Sequence, residues 1–137
     1  MKLSKDEIFS INALQMVSGV HAKDCILEGD SVAFLVKSED MGKAIGKNGA
    51  NIKDLGNKTG KRVEVISYEE SCEEFLKSAF SKAGIQKIEM RENDGKKTAI
   101  ISASGENKRI LLRNKPRLEK IKKLAERNYN VEDIKIR

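Results

Sequence analysis

The sequence predicts an α+β chain built from two copies of one module, each running helix, strand, strand, helix, helix, strand. Three observations predict it. A Ser-x-x-Glu pair opens an apolar helical stripe twice, at Ser4/Glu7 and at Ser71/Glu74. Each stripe leads to two β-patterned runs around a glycine turn, Gly29-Asp30 and then Asn93-Asp94-Gly95. Matching features are also offset by nearly constant steps: 67 from Ser4 to Ser71, 65 from Gly19 to Gly84, 66 from Ile52 to Leu118 and 71 from Val63 to Ile134. Tandem modules follow, with a boundary near Tyr68, so the predicted domains are 1-68 and 69-137.

Element by element, the serine oxygen of Ser4 and the carboxylate of Glu7 can each satisfy an orphan backbone donor, which makes a capping box. Ile8, Ile11 and Leu14 then stripe one helix face as far as Gly19. Residues 23–28 and 31–37 read as strands, because Gly29-Asp30 tolerates the positive φ of a tight hairpin and Val32, Phe34 and Val36 give a period of two. A helix from about Asp40 is interrupted at Gly46, and another beyond Gly49 carries Ile52 and Leu55 to a stop at Gly60. Val63 and Val65 mark the closing strand. In the second copy Ser71 and Glu74 form a capping box for a helix over 71–83, whose stripe is Phe75, Leu76, Ala79, Phe80 and Ala83 and whose stop is Gly84. Strands are predicted at 85–91 and 96–103, a helix through Leu118, Ile121 and Leu124, and a final strand at Ile134 and Ile136.

Of 137 residues, 39% are hydrophobic, and the mean hydropathy of -0.52 excludes a membrane-embedded chain. No apolar run approaches the ~20 residues of a membrane helix, and MKLSKDEIFS has no signal-peptide core. Cys25 and Cys72 stand alone in apolar or helical contexts, which predicts buried thiols in a reducing, cytoplasmic setting. Modules of this size bury only about 60% of their unfolded surface, so two of them are expected to pack on each other.

The 27 Lys and Arg against 21 Asp and Glu leave +6, with a pI near 9.3, which favours a polyanionic partner. The charge is segregated. Residues 107–123 hold eight basic residues against Glu119, a local +7, and residues 43–62 hold six against Asp54, a local +5. Glu69, Glu70, Glu73 and Glu74 gather elsewhere.

The most specific stretch is MGKAIGKNG at residues 41–49. Gly46-Lys47-Asn48-Gly49 forms a short turn between two predicted helices. Glycines there let a ligand approach the backbone, and the N–H groups and positive dipole at the head of the next helix attract an anion such as phosphate. Lys47 adds charge, Asn48 a donor, and Gly42 is expected to let the helix pack or a strand approach closely. It is not a Walker A loop, since Ala50 follows Gly49, nor a dinucleotide fingerprint. The one histidine, His21, has no metal-ligand partner at a suitable spacing. No enzyme activity, cofactor, metal or small-molecule substrate is predicted.

IGKNGANI, Ile45 to Ile52, resembles the signature of KH domains, in which the GxxG loop clamps the backbone of about four nucleotides. Two strands before the loop and one after it resemble the type II arrangement, which implies for each module a three-stranded mixed sheet covered by helices. The pair, with DMGKAIGKNGANIKDL at Asp40 to Leu55, is similar to the KH portion of the NusA family of transcription termination and antitermination factors, in its short archaeal form. The resemblance spans essentially the whole chain, although the specific motif lies in the first module alone.

It implies a single-stranded RNA ligand, an association with RNA polymerase, a monomer and no membrane. The expected RNA-contact set is Lys43, Ala44, Ile45, Gly46, Lys47, Asn48, Gly49, Asn51, Lys53 and Arg62, with Ala44, Ile45 and the adjoining strand flooring a groove for bases. Aromatics make up 4% of the chain, so stacking platforms are not expected, and Phe34 and Tyr68 are assigned to the core and the boundary. In the second module the stretch NKRILLRNKPRLEKI puts Arg113 and Pro116 where the pattern has glycines. Proline brings no N–H, and Pro116 suits the first turn of a helix. Lys108, Arg109, Arg113, Lys115 and Arg117 therefore remain as electrostatic contact candidates, beside the alternative that this module only supports the first. An adaptor on RNA polymerase, or a KH protein of ribosome assembly or RNA decay, stays open as well.

Overall fold

The computed structural model describes residues 3–81 and 84–137. Within it the chain divides into two compact units, Met1–Glu69 and Glu70–Arg137.

The first unit begins with α1 (Lys5–Ser18). Ser4 Oγ accepts the Glu7 N–H at 3.1 Å while Glu7 Oε1 accepts the Ser4 N–H at 2.9 Å, so both halves of the capping box form. Gly19, at φ +76, closes the helix by donating to the Gln15 carbonyl. Strands β1 (Asp24–Glu28) and β2 (Ser31–Lys37) pair antiparallel across Gly29-Asp30, where Gly29 takes φ +59. A 3₁₀ turn at Ser38–Asp40 leads to the five-residue α2 (Met41–Ile45), a second 3₁₀ turn covers Lys47–Gly49, and α3 (Ala50–Thr59) ends at the left-handed Gly60. Strand β3 (Arg62–Tyr68) returns parallel to β2, giving a mixed sheet in the order β1-β2-β3.

Leu14, Cys25, Val32, Phe34, Val36, Ala44 and Leu55 form the core on the helix side of this sheet. Burying each of the larger side chains stabilises the unit by about 1.5 to 3 kcal/mol. The expected alternation along β2 is not seen in its burial. Ala33 and Leu35, on the opposite face, are as buried as Val32 and Phe34, in keeping with a central strand covered on both faces. Tyr68 is half-buried at the end of β3 with the Lys23 ammonium 4.3 Å from its ring centre.

The second unit repeats the element order: α4 (Cys72–Ala79), β4 (Ile85–Asn93), β5 (Lys96–Ala103), α5 (Gly105–Arg113), α6 (Lys115–Tyr129) and β6 (Val131–Ile136). Its sheet runs β4-β5-β6, antiparallel and then parallel. Asp94 and Gly95 both take positive φ, as a two-residue hairpin turn of the primed type requires. Phe75, Leu76, Ile101, Ile121 and Leu124 are fully buried.

One boundary departs from the sequence reading. The helix predicted over 71–83 ends at Ala79. Ser71 does cap it by accepting the Glu74 N–H at 3.2 Å, but Phe80 leaves the helix at φ -110 and the Ala79 carbonyl, which a longer helix would engage, accepts the guanidinium of Arg117. Ala83 lies outside the described residues, and Gly84, at φ +62, turns the chain into β4. Cys25 and Cys72 are both buried and neither is in a disulfide; burial pushes the Cys72 thiol up to about 11, against the opposing pull of Lys97.

Candidate functional site

The connection between α2 and α3 is the most constrained backbone in the first unit. Gly46 sits at φ +79, ψ 166, a region essentially reserved for glycine, and Asn48 (φ 57, ψ 28) and Gly49 (φ 74, ψ 18) are both left-handed. Three of the four loop residues therefore have positive φ. Asparagine is one of the few side chains that tolerates that conformation. A Cβ at Gly46 would lie 2.8 Å from both the backbone nitrogen and Cγ of Asn51, so glycine is required there twice over.

Gly49 N–H reaches the Gly46 carbonyl and Ala50 N–H the Lys47 carbonyl, but α3 starts with no side-chain cap on its first turn. The left-handed Gly49 followed by the right-handed Ala50 (φ -58, ψ -41) is the kind of alternation that turns successive N–H groups into an anion-binding concavity. Lys43, Lys47, Asn48 and Lys53 are exposed around it, with Gly46, Gly49 and Ile45 half-buried. The loop thus combines the helix-dipole end, bare backbone and three lysines, an arrangement that can hold a phosphodiester.

Other expected contacts are placed differently. Ala44 is fully buried in the core cluster, so its side chain is not part of a groove floor. Arg62 lies beyond the far end of α3, whose ten residues span about 15 Å, and its guanidinium is 3.7 Å from Asp30 in an exposed pair. Asn51 turns its amide back across the loop, donating to the Lys43 carbonyl at 2.9 Å. Gly42 has a helical backbone with open space where a Cβ would stand, so neither helix packing nor a close strand explains it.

In the second unit α5 and α6 are joined through Asn114 alone, with no positive φ between Arg113 and Pro116. Donors at the head of α6 are mostly spent. Pro116 has none, Arg117 N–H reaches Asn114 Oδ1 at 3.3 Å, and Leu118 N–H reaches the Asn114 carbonyl. Arg109, Arg113 and Lys115 are exposed and Lys108 half-buried. Arg117, a contact candidate from the sequence, bonds the Ala79 carbonyl instead and lies 5.6 Å from the Phe80 ring centre. Lys120 is buried, and Lys122 is 3.7 Å from both Glu119 and Asp133. The +7 counted along 107–123 is thus not a single outward face. Asn114 as the helix cap was missed in the sequence, although an Asn before Lys-Pro is a recognisable helix start.

Among the described residues no group of three His, Cys, Asp or Glu side chains could hold a metal ion, and His21 meets Gln15 Oε1 at 3.4 Å. Among the described residues no helix is long and apolar enough to cross a membrane.

Residues 11–70 match the KH domain family. The match falls almost wholly within the first unit. Along 99% of its length the chain is 29% identical to the probable transcription termination protein NusA of Methanocaldococcus jannaschii, of which it covers 75%. The protein of the same name from Halococcus morrhuae is 26% identical, with 98% of this chain and 96% of that one aligned. The crystal structure of APE1850 superposes with a TM-score of 0.84 at 29% identity, over 98% of this chain and 100% of that one. The similarity to these NusA-named relatives runs along nearly the whole chain. The loop at Gly46 to Gly49 falls inside the KH match, whereas the Arg113 to Pro116 connection falls outside it.

Proposed function

We propose that the protein is a non-catalytic, cytoplasmic RNA-binding factor of transcription termination or antitermination, gripping the backbone of single-stranded RNA on the Gly46 to Gly49 loop of its KH domain. The observation that carries this reading is the loop itself: three positive-φ residues at the head of an uncapped helix, with Lys47 on it and Lys43 and Lys53 exposed on the flanking helices. One phosphate would sit over the amides of the α3 start, with its neighbours neutralised by those lysines. Bases would lie along α2 and α3 beside Ile45, held by groove edges rather than stacking. The second unit, read as a KH domain that has lost its glycines, would add charge through Arg109, Arg113 and Lys115 without an amide cradle. The role in transcription rests on likeness to the NusA-named relatives, and RNA polymerase is the protein partner it implies.

Changing Lys47→Asp together with Asn48→Asp tests the grip. Aspartate tolerates the left-handed backbone as asparagine does, so the melting temperature should hold while RNA binding is lost. Unchanged binding by a single-stranded RNA would remove the loop assignment. Crosslinking in cells tests the pathway: nascent transcripts and co-recovered polymerase support it, and a predominance of mature ribosomal RNA points to ribosome assembly instead.

A further inference from the structure

The loop that presents these donors is bridged by one side chain. Because α2 is only five residues long, its last carbonyls lack helical partners, and the turn at Gly46 sends the chain away before Lys47 could reach the Lys43 carbonyl. Asn51, the second residue of α3, fills that place: its Nδ2 donates to the Lys43 oxygen at 2.9 Å, eight residues back and across the whole loop. The same amide group lies over the Gly46 α-carbon, within 2.8 to 2.9 Å of where a Cβ would stand. One end of the loop is thus tied by a hydrogen bond and the turn itself is held by contact.

We propose that Asn51 is a positioning residue, whose amide holds the Gly46 to Gly49 loop in its binding shape before any ligand arrives. The proposal rests on the reading of that loop as an RNA grip, but its first consequence is visible without RNA. An exposed hydrogen bond of this kind shifts a local opening equilibrium by about fivefold. Affinity for a ligand that needs the closed loop falls only by the closed population lost, so Kd rises by no more than the opening constant does. A residue that touches the ligand directly obeys no such ceiling.

The test is Asn51→Ala in the full chain, read by amide hydrogen exchange in the free protein and by titration with a single-stranded RNA. The Gly49 and Ala50 amides, which hydrogen bond within the loop, should exchange about fivefold faster, with the amides of β2 unchanged. RNA Kd should rise by no more than that factor, with the slope of log K on log salt unaltered because no charge has been removed. Unchanged exchange at Gly49 and Ala50 overturns the proposal. So does a loss of affinity larger than the change in exchange, which would make Asn51 a contact residue. Adding Asn51→Ala to the Lys47→Asp/Asn48→Asp protein should still speed loop exchange. That result separates failure of the brace from failure of the RNA reading.

Discussion

The two units carry the same element order and opposite solutions at the same place. Between α2 and α3, positive-φ backbone and an uncapped helix leave donors for a ligand; between α5 and α6, Asn114 and Pro116 have already disposed of them. The helix pair alone does not make a phosphate site. What matters is whether the helix start spends an amide on a side-chain cap, and a cap such as Asn114, worth about 1 kcal/mol to the helix, costs the site a donor.

Substitutions at matched positions can break this contrast. The largest effect is expected from Lys47→Asp with Asn48→Asp, which should weaken RNA binding by at least about a hundredfold through loss of phosphate neutralisation. Arg113→Asp with Lys115→Asp should cost only a fraction of that and lower the salt slope, as titrations at several salt concentrations would show. Equal losses from both pairs would end the distinction between cradle and charge.

Next comes Gly46→Ala, which forces an alanine into a glycine-only conformation against Asn51. It should destabilise the loop by about 1 to 3 kcal/mol, measured by denaturation and by loss of RNA affinity. Arg117→Ala should be similar in size but different in kind. Losing the bond to Ala79 and the contact with Phe80 should lower the stability of the second unit by about 1 to 3 kcal/mol and leave the RNA salt slope where it was. Arg113→Ala should do the reverse, lowering the slope with stability unchanged. The smallest effect is at Gly42, where alanine fits the open space and should stabilise α2 by about 0.5 to 1 kcal/mol in a thermal melt.

Much of the fold was legible in the sequence because its punctuation has few physical readings. Gly19, Gly29, Gly60 and Asp94-Gly95 sit where the chain needs positive φ, and Ser4/Glu7 satisfy donors that nothing else reaches. The turn between α2 and α3 was legible for the same reason at Gly46 and Gly49. What escaped was direction. Arg117 was a contact candidate and the charge count took residues 107–123 as one basic run, whereas Arg117 bonds the Ala79 carbonyl, Lys120 is buried and Lys122 pairs with Asp133. The end of α4 was hidden for a related cause, since the competitor for the Ala79 carbonyl lies 38 residues away. Asn51 was assigned to the ligand because a polar side chain beside a binding loop looks the same in a sequence whether it faces out or across.

The span from Lys43 to Asn51 also holds everything that shapes the grip: both ends of the bridging amide bond, all three positive-φ residues and the open helix start. Ala44 plugs it into the core, and α2 packs on α1, β2 and β3. The shape of the loop is thus local, while its seating is not. Nine residues grafted in place of the eight at 110–117 would carry the glycines and their bridging amide with them but would take Arg117 from the Ala79 carbonyl, so shape and seating would part company there.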